Sequence, residues 1–305
     1  MMKNAIIYYY NLNPINIHQS NKQFRFSIDN DEYILMPYNR HVDEINYLND
    51  LCSQLHQKQI YCHQFVPNNN HTFITYINNV PYVLLKIYVN SKDKIILNDI
   101  MDFTNIVISN NYKVLRRDNW FELWTNKIDY FEYQVSQFGK KFPLIRESFS
   151  YFVGLAENAI MLYKNIYNSN NNTLCIAHKR IKKDHTITDF LNPLNFIIDI
   201  KVRDSSEFFK ERFFDDHHYD IYEEIMYYLT YGNINTYDCM LFFTRLLFPT
   251  FYFDIYEDII NNGEDEKELL RIINRVNDYE EFLRKIYTYL KTITTIPDIE
   301  WLKKT

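Results

Sequence analysis

The sequence predicts an α+β fold, with a small antiparallel sheet in the N-terminal part and a large, mainly helical C-terminal part. Short apolar runs separated by turn residues fill most of the chain up to residue 89, which is typical of strands. The stretch 42–58 interrupts them, because its apolar residues recur at helical spacing. Beyond residue 92 helical spacing prevails, and a chain of 305 residues can bury a sizeable core.

Six apolar runs are strand candidates, at 5–10, 23–28, 33–36, 61–66, 72–77 and 81–89. Asp29, Asn30 and Asp31 separate the second run from the third and predict a hairpin. Asn78 and Asn79 predict a tight turn before the last run. The helix at 42–58 would therefore be inserted after the third strand.

The C-terminal part contains a series of predicted helices. Asn119 and Glu122 form a capping pair around Trp120, where an apolar stripe begins, and Gly139 is placed to end that helix. Pro143 suits the first turn of the next helix. Further helices are predicted at 95–107, 204–212, 216–231, 235–247, 252–261 and 265–292.

Composition and charge disfavour several classes of protein. The hydrophobic fraction of 47% is normal for a globular chain and argues against wholesale disorder. A net charge of −6 disfavours nucleic acid and anionic membranes as partners, and no apolar run reaches the length of a membrane span. The four cysteines form no Cys-x-x-Cys pair, which is typical of reduced thiols. We therefore expect a cytoplasmic protein that binds no nucleic acid and does not insert into membranes.

The stretch 174–210 holds the polar residues that most suggest chemistry. A short apolar run ends at His178, and a second one ends at Asp199. Asp204 and Glu207 are spaced as a capping box that would start a helix. A carboxylate at the end of a buried strand, beside a basic loop, is a common place for a metal ion and a phosphate group.

Several short motifs in and beyond this stretch occur in an order that is also found in a known protein family. They include Ala177-His178-Lys179-Arg180, Ile198-Asp199, Arg203-Asp204-Ser205-Ser206-Glu207 and Arg245-Leu246-Leu247-Phe248-Pro249. The ordered set resembles the spore-coat putative kinase family (the CotS/YutH group), within the aminoglycoside-phosphotransferase and protein-kinase-like superfamily. The resemblance implies a bilobal protein-kinase-like fold. Its N-lobe would cover residues 1–88, and a helical C-lobe at 89–305 would contain a degenerate catalytic segment at 174–210.

The resemblance also implies roles for individual residues. The kinase pattern is His-x-Asp-x-x-x-x-Asn, in which the Asp is the base and the Asn binds a metal ion. Counted from His178, those two positions hold Arg180 and His185. Arg180 cannot act as a base because it stays protonated. His178 and Asp184 are therefore the catalytic candidates, and Asp199 is the candidate metal ligand.

The remaining candidate residues of the segment divide into two groups. Lys179, Arg180 and His185 are candidates for contacts to cofactor phosphates, whereas Arg203 and Asp204 are expected to be structural at the site. Either Arg180 or Arg203 could pair with Asp199, so that a salt-bridge network would replace a metal site.

Structural alternatives stay open at three positions. Asp199 could lie in a turn and accept hydrogen bonds from backbone N–H groups. Asp204 could be the N-cap of a helix, and His178 could be buried and hydrogen-bonded to the backbone.

The N-terminal part also departs from the kinase pattern. None of the four glycines precedes residue 139, although a phosphate cradle needs glycines for close approach of the backbone. The kinase lysine would fall near Met36, where no cation stands, so Glu44 is expected to be a solvated helix residue. His18 and Lys22 lie where a first hairpin would pass over a nucleotide.

Three hypotheses about function follow. The favoured one is a catalytically degenerate pseudokinase that works by binding protein partners, as an assembly factor for spore-coat components in an endospore-forming bacterium. The second is a phosphotransferase that uses ATP and Mg²⁺ and acts on a small-molecule or protein hydroxyl. The third is a structural protein whose fold only resembles kinases. Arg180, at the position of the catalytic base, favours the first hypothesis over the second.

Overall fold

The computed structural model describes residues 2–20, 22–108, 112–167, 172–182, 184–215 and 221–303. The strands are β1 (Ile17–Ser20), β2 (Gln23–Ile28), β3 (Asp31–Pro37), β4 (Gln64–Val66), β5 (Thr75–Ile77), β6 (Val80–Ile87), β7 (Leu174–His178) and β8 (Phe196–Ile200). The helices are α1 (Met2–Tyr10), α2 (Glu44–Gln57), α3 (Leu97–Thr104), α4 (Trp120–Phe138), α5 (Pro143–Ile166), α6 (Ile187–Phe190), α7 (Arg203–Asp215), α8 (Ile221–Tyr231), α9 (Thr236–Leu247), α10 (Thr250–Asn262), α11 (Leu270–Ile273), α12 (Val276–Ile293) and α13 (Glu300–Lys303).

The chain divides into two units, a sheet unit and a helical unit. The sheet unit comprises the described residues of Met1–Ile95, Ile108–Arg116 and Asp184–Ile197. The helical unit comprises those of Ile96–Val107, Arg117–Lys183 and Ile198–Thr305. The predicted α+β class is confirmed, with an antiparallel sheet in the N-terminal part and helices in most of the rest. The proposed boundary at residue 88 stays a prediction.

The sheet unit is built on six antiparallel strands within the described residues. Their order is β1-β2-β3-β6-β4, and β5 pairs with β6. The predicted hairpin is confirmed as β2–β3, with Phe24 opposite Leu35. The second predicted turn is confirmed as well, because Asn78 and Asn79 have φ angles of 52° and 63°, as a tight hairpin requires. Helix α2 follows the third strand, as expected.

The prediction of a strand at 5–10 was wrong. These residues belong to α1, in which Ile6 and Tyr10 lie one helical turn apart and are both buried. They pack in one cluster with Phe26 and Leu84 of the sheet. A short apolar run does not distinguish a strand from a helix, and burial of one face against the sheet favours the helix here.

The helical unit follows most of the predicted pattern. The side chain of Asn119 accepts the N–H of Glu122 at the start of α4, and Pro143 opens α5. Helix α4 ends at Phe138, directly before Gly139, as predicted, although Gly139 has an ordinary φ of −57°. The stretch 265–292 is divided by residues 274 and 275. There the guanidinium of Arg275 lies 4.5 Å from the centre of the Phe213 ring.

Two further observations complete the fold. The first part of the helix predicted at 216–231, residues 216–220, lies outside the described residues, and α8 covers most of the rest. Within the described ranges, none of the helices is both long enough and apolar enough to cross a membrane.

Candidate functional site

The candidate site lies in the helical unit, around the ends of β7 and β8 and the start of α7. β8 is buried along its whole length, and four of the five residues of β7 are buried. Strands covered on both faces are apolar throughout, so a polar residue within them needs an internal partner. His178 is the last residue of β7, and Asp199 is the fourth residue of β8. Both therefore depend on the surrounding side chains.

Both carboxylate oxygens of Asp199 accept hydrogen bonds from protein groups. Oδ1 accepts the indole Nε1–H of Trp120 at 2.8 Å and the backbone N–H of Ile200 at 2.7 Å. Oδ2 accepts Nη1–H of Arg203 at 2.7 Å. The residue is 0% exposed. Burial raises the pKa of this carboxyl, and the guanidinium groups of Arg203 and Arg245 oppose that effect.

Arg203 holds three backbone and side-chain groups together. Besides its bond to Asp199, it donates from Nε to the carbonyl of His178 at 3.0 Å and from Nη2 to the carbonyl of Lys179 at 2.9 Å. The guanidinium thus ties the end of β7 to β8. An i,i+4 spacing between Asp199 and Arg203 made this pair foreseeable, and it was one of the two pairs that the sequence suggested.

Asp204 fixes the position of His178. Its carboxylate accepts the backbone N–H of His178 at 3.0 Å on both oxygens, and Oδ2 accepts the ring Nδ1–H at 2.6 Å. Helix α7 begins at Arg203, so Asp204 lies inside its first turn and is not the residue that caps it. The predicted N-cap was therefore wrong, whereas the expected burial of His178 is confirmed at 1% exposure.

Arg180, in the basic loop after β7, has another carboxylate as its partner. Arg180 pairs with Asp254 of α10, at 2.9 Å from Nε to Oδ2, so the suggested pair with Asp199 was wrong in its partner. The carbonyl of Lys179 accepts bonds from Arg203 and from Arg180. Arg203 alone of the two arginines pairs with Asp199.

Two of the candidate residues, Asp184 and His185, belong to the sheet unit. Asp184 is exposed in a turn, and His185 is half-buried. The carbonyl of His185 accepts the N–H of Ile95, and Ile187 donates to the carbonyl of Asp93. Thr186 forms an isolated bridge with Lys94. These bonds attach the second half of the loop to the segment that follows β6.

Sequence reasoning missed a buried ionic network beside Asp199. Glu207 of α7 accepts Nε–H of Arg245 at 2.6 Å, Nζ–H of Lys210 at 3.0 Å and the hydroxyl of Thr250 at 2.6 Å. Burial acts to raise the pKa of Glu207, but Lys210 and Arg245 outweigh it and hold the pKa well below its usual range. Burial lowers the pKa of Lys210 to about 8.

Arg245 of the same network also contacts two tryptophan rings of α4. The guanidinium of Arg245 lies 4.9 Å from the Trp120 ring and 5.4 Å from the Trp124 ring, within range of cation–π attraction. The motif around Arg245 was noticed in the sequence. Arg245 and its partner Glu207 are 38 positions apart, and Trp120 and Asp199 are 79 positions apart. No local sequence pattern could therefore predict either bond.

The expectation that Glu44 is solvated was wrong. Glu44 is 5% exposed and accepts Nε–H of Arg40 at 2.5 Å. Arg40 also donates to the carbonyls of Leu194 and Phe196 at 2.9 and 2.7 Å. Arg40, three residues beyond β3, therefore pairs with the first turn of α2. Its other donors bind backbone carbonyls just before and at the start of β8.

The hydrogen bonds around Asp199 limit what the cluster can do chemically. Mg²⁺ is held by carboxylate oxygens and water in a near-octahedral shell. Each oxygen of Asp199 already accepts an N–H bond, and the Arg203 guanidinium supplies a positive charge at 2.7 Å. In the parts of the chain that the structure describes, no three His, Cys, Asp or Glu side chains group as metal ligands. Within the described residues, the cluster around Asp199 is therefore arranged as an internal ion pair.

Comparison with known families gives one match that covers nearly the whole chain. The family model described as spore coat putative kinase YutH matches residues 3–286. None of the curated proteins compared is a significant match.

Several solved structures share the fold. An aminoglycoside phosphotransferase from Alicyclobacillus acidocaldarius subsp. acidocaldarius DSM 446 matches with a TM-score of 0.68 and 12% identity, over 96% of this chain and 97% of that one. The spectinomycin phosphotransferase APH(9)-Ia, bound to AMP, matches with a TM-score of 0.55 and 12% identity, over 96% and 93%. The amicoumacin kinase hAmiN, in complex with AMP-PNP, Ca²⁺ and Ami, matches with a TM-score of 0.57 and 11% identity, over 100% and 96%. At these identities the likeness establishes the kinase-like fold.

Proposed function

The chain belongs to the spore coat putative kinase YutH family, and on that premise we propose that it is a catalytically degenerate pseudokinase that acts by binding. Its role would be to assemble protein partners, among them components of the spore coat. The fold is that of kinases that bind AMP or AMP-PNP in solved complexes. The residues at the corresponding places in this chain support a binding role over a catalytic one.

The observation that carries the proposal is the bonding of Asp199. In the kinase pattern, the carboxylate at the end of this strand holds the metal ion that neutralises the phosphates. Here Arg203 supplies the positive charge from within the chain, at 2.7 Å. Trp120 and Ile200 occupy the other oxygen. A permanent internal cation makes the cluster a structural element of the helical unit.

Two further features support the same proposal. Arg180, at the position of the catalytic base, is paired with Asp254 and cannot accept a proton from a hydroxyl. No glycine precedes residue 139, so the sheet unit lacks the residues that let a backbone approach phosphates closely.

The catalytic part of the proposal is tested with radiolabelled ATP. The purified full chain is incubated with [γ-³²P]ATP in Mg²⁺ and, in parallel, in excess EDTA, and release or transfer of the label is measured. We expect equal rates in the two buffers, because Arg203 already pairs with the Asp199 carboxylate. Mg²⁺-dependent transfer that Asp199→Asn abolishes would contradict the proposal.

The assembly part is tested in cells. A fluorescent fusion of the full chain, expressed in a sporulating bacterium, is expected to collect at the spore surface. A uniform signal in the mother cell throughout sporulation would count against a role in the coat.

A further inference from the structure

A groove on the helical unit runs between α4 and α5. These two helices form an antiparallel hairpin, joined by a short connection at residues 139–142. The groove has a volume of about 480 Å³. Phe121, Thr125, Ile128, Asp129 and Glu132 of α4 line one wall, and Glu157, Ile160, Met161 and Lys164 of α5 line the other. On each helix the lining residues recur at spacings of three and four, so each wall is one helical stripe.

The floor of the groove is apolar and open to solvent. Ile128 is buried at its base, whereas Phe121 is 39% exposed and Met161 is 58% exposed. Two large apolar side chains that face each other across a groove form a ready contact for another apolar side chain. Met adapts its shape to a partner more readily than other apolar residues do.

The rim of the groove is acidic at one end. Asp129, Glu132 and Glu157 stand there, and within the described residues none of the three has a hydrogen-bond or ion-pair partner. At the opposite end Lys164 lies over the ring of Phe121, 5.8 Å from its centre. With these three carboxylates and one lysine, the rim has a net charge of −2. The three carboxylates are therefore available to pair with cationic groups of another molecule.

We propose that this groove binds a basic amphipathic helix of a partner protein. From Phe121 to Glu132 the wall extends for about 16 Å, which is close to three helical turns. A helix laid there would place apolar side chains at i, i+3 or i+4 and i+7 against Ile128 and Met161. Its lysines or arginines would face Asp129, Glu132 and Glu157. The inference rests on the proposed binding role, to which it adds the chemistry of the partner.

The test uses a designed probe and the full chain. The probe is a fluorescein-labelled peptide of about 14 residues, leucine on one helical face and lysine on the other. A peptide of the same composition with scattered leucines is its control. Binding is measured by fluorescence anisotropy at low and at physiological salt. We expect the amphipathic probe to bind more tightly than the scrambled peptide, with an affinity that falls as salt rises.

Two protein variants separate the groove from general charge attraction. Asp129→Asn, Glu132→Gln and Glu157→Gln together remove the acidic rim. Glu147→Gln, Glu264→Gln and Glu268→Gln remove three exposed glutamates elsewhere and change the net charge equally. The first variant should weaken binding by about tenfold or more, as expected for three lost ion pairs, and the second should leave it nearly unchanged. Equal weakening in the two variants would overturn the proposal.

The apolar contact is tested separately with Met161→Gln, an exposed position at which a polar residue does not endanger folding. Weaker binding of the probe supports the groove, and unchanged binding overturns it. Sedimentation of the chain alone tests self-association. A dimer that the acidic-rim variant dissociates would assign the face to a second copy and would also overturn the proposal.

The outcome is distinguishable from failure of the proposed function. Mg²⁺-dependent phosphoryl transfer would defeat the pseudokinase assignment and leave the groove unaffected. Absence of probe binding, with no phosphoryl transfer, would defeat the groove alone.

Discussion

At the scale of single residues, Asp199 decides how the candidate site behaves. A carboxylate buried in an apolar strand needs donors for both oxygens, because an isolated buried charge is very costly. Trp120, Ile200 and Arg203 supply those donors at 2.7–2.8 Å. These donors stabilise the buried carboxylate in the folded chain.

This account predicts a large loss of stability for Asp199→Ala. The substitution leaves the Arg203 guanidinium and the Trp120 indole N–H without their acceptor in a buried place, which should cost about 3–5 kcal/mol. Urea unfolding measures the change. Asp184→Ala, at an exposed turn, is the control and should stay within about 0.5 kcal/mol of the wild type. A small effect at Asp199 would mean that the carboxylate contributes little to the folded state.

At the scale of secondary-structure elements, Glu207 joins three helices. It belongs to α7 and binds Arg245 of α9 and Thr250 of α10. Lys210, one turn further on α7, donates to the carbonyls of Arg245 and Phe248 at 3.0 Å each. These bonds satisfy carbonyls at the end of α9, which otherwise lack intrahelical partners. The network therefore positions Arg245 of α9, whose guanidinium lies 4.9 Å from the Trp120 ring.

We predict that Glu207→Gln lowers the free energy of unfolding by about 3 kcal/mol at neutral pH, because Lys210 and Arg245 lose their counter-charge. The pKa of Glu207 is below its ordinary value in the folded chain, so its stabilising effect is complete above that ordinary value. The effect is lost as pH falls below it. The stability gap between wild type and Glu207→Gln should therefore narrow progressively between about pH 5 and pH 2.

Chemical denaturation across that pH range measures the gap. Glu264→Gln, at an exposed position in the same unit, should follow the wild type at every pH. A gap that stays constant down to the lowest pH would show that Glu207 is not the titrating group.

Local patterns predicted most elements of this fold. The hairpin of β2 and β3, the turn at Asn78 and Asn79, and the start of α5 at Pro143 all follow from chemistry within a few residues. The prediction failed for α1 and for the break near Arg275, where contacts with distant elements outweigh local preference. Short apolar runs are the places where such contacts decide between strand and helix.

Less of the candidate site could be predicted than of the fold. The Asp199–Arg203 pair could be foreseen, because its members are four residues apart. The Trp120 bond to Asp199 and the Arg40 bonds to Leu194 and Phe196 could not, because they join distant parts of the chain. For the same reason, the sequence wrongly suggested that Glu44 faces solvent.

At the scale of the whole molecule, three arginines of this kinase-like fold pair with carboxylates of the same unit. Arg40 meets Glu44 after β3, Arg203 meets Asp199 after β8, and Arg180 meets Asp254. Each of these arginines neutralises a carboxylate internally, within one unit of the chain. These pairs agree with the proposed binding role, in which the fold serves for the surfaces it presents and not for nucleotide chemistry.

The measurement that tests this central claim most directly is the thermal stability of the full chain with and without millimolar Mg-ATP. A ligand at a hundred times its Kd stabilises the native state by about 2.7 kcal/mol, which is readily seen as a rise in Tm. The account predicts no rise for the wild type. A rise of several degrees that disappears in Asp199→Asn would contradict it, because Asp199 would then be a working metal ligand.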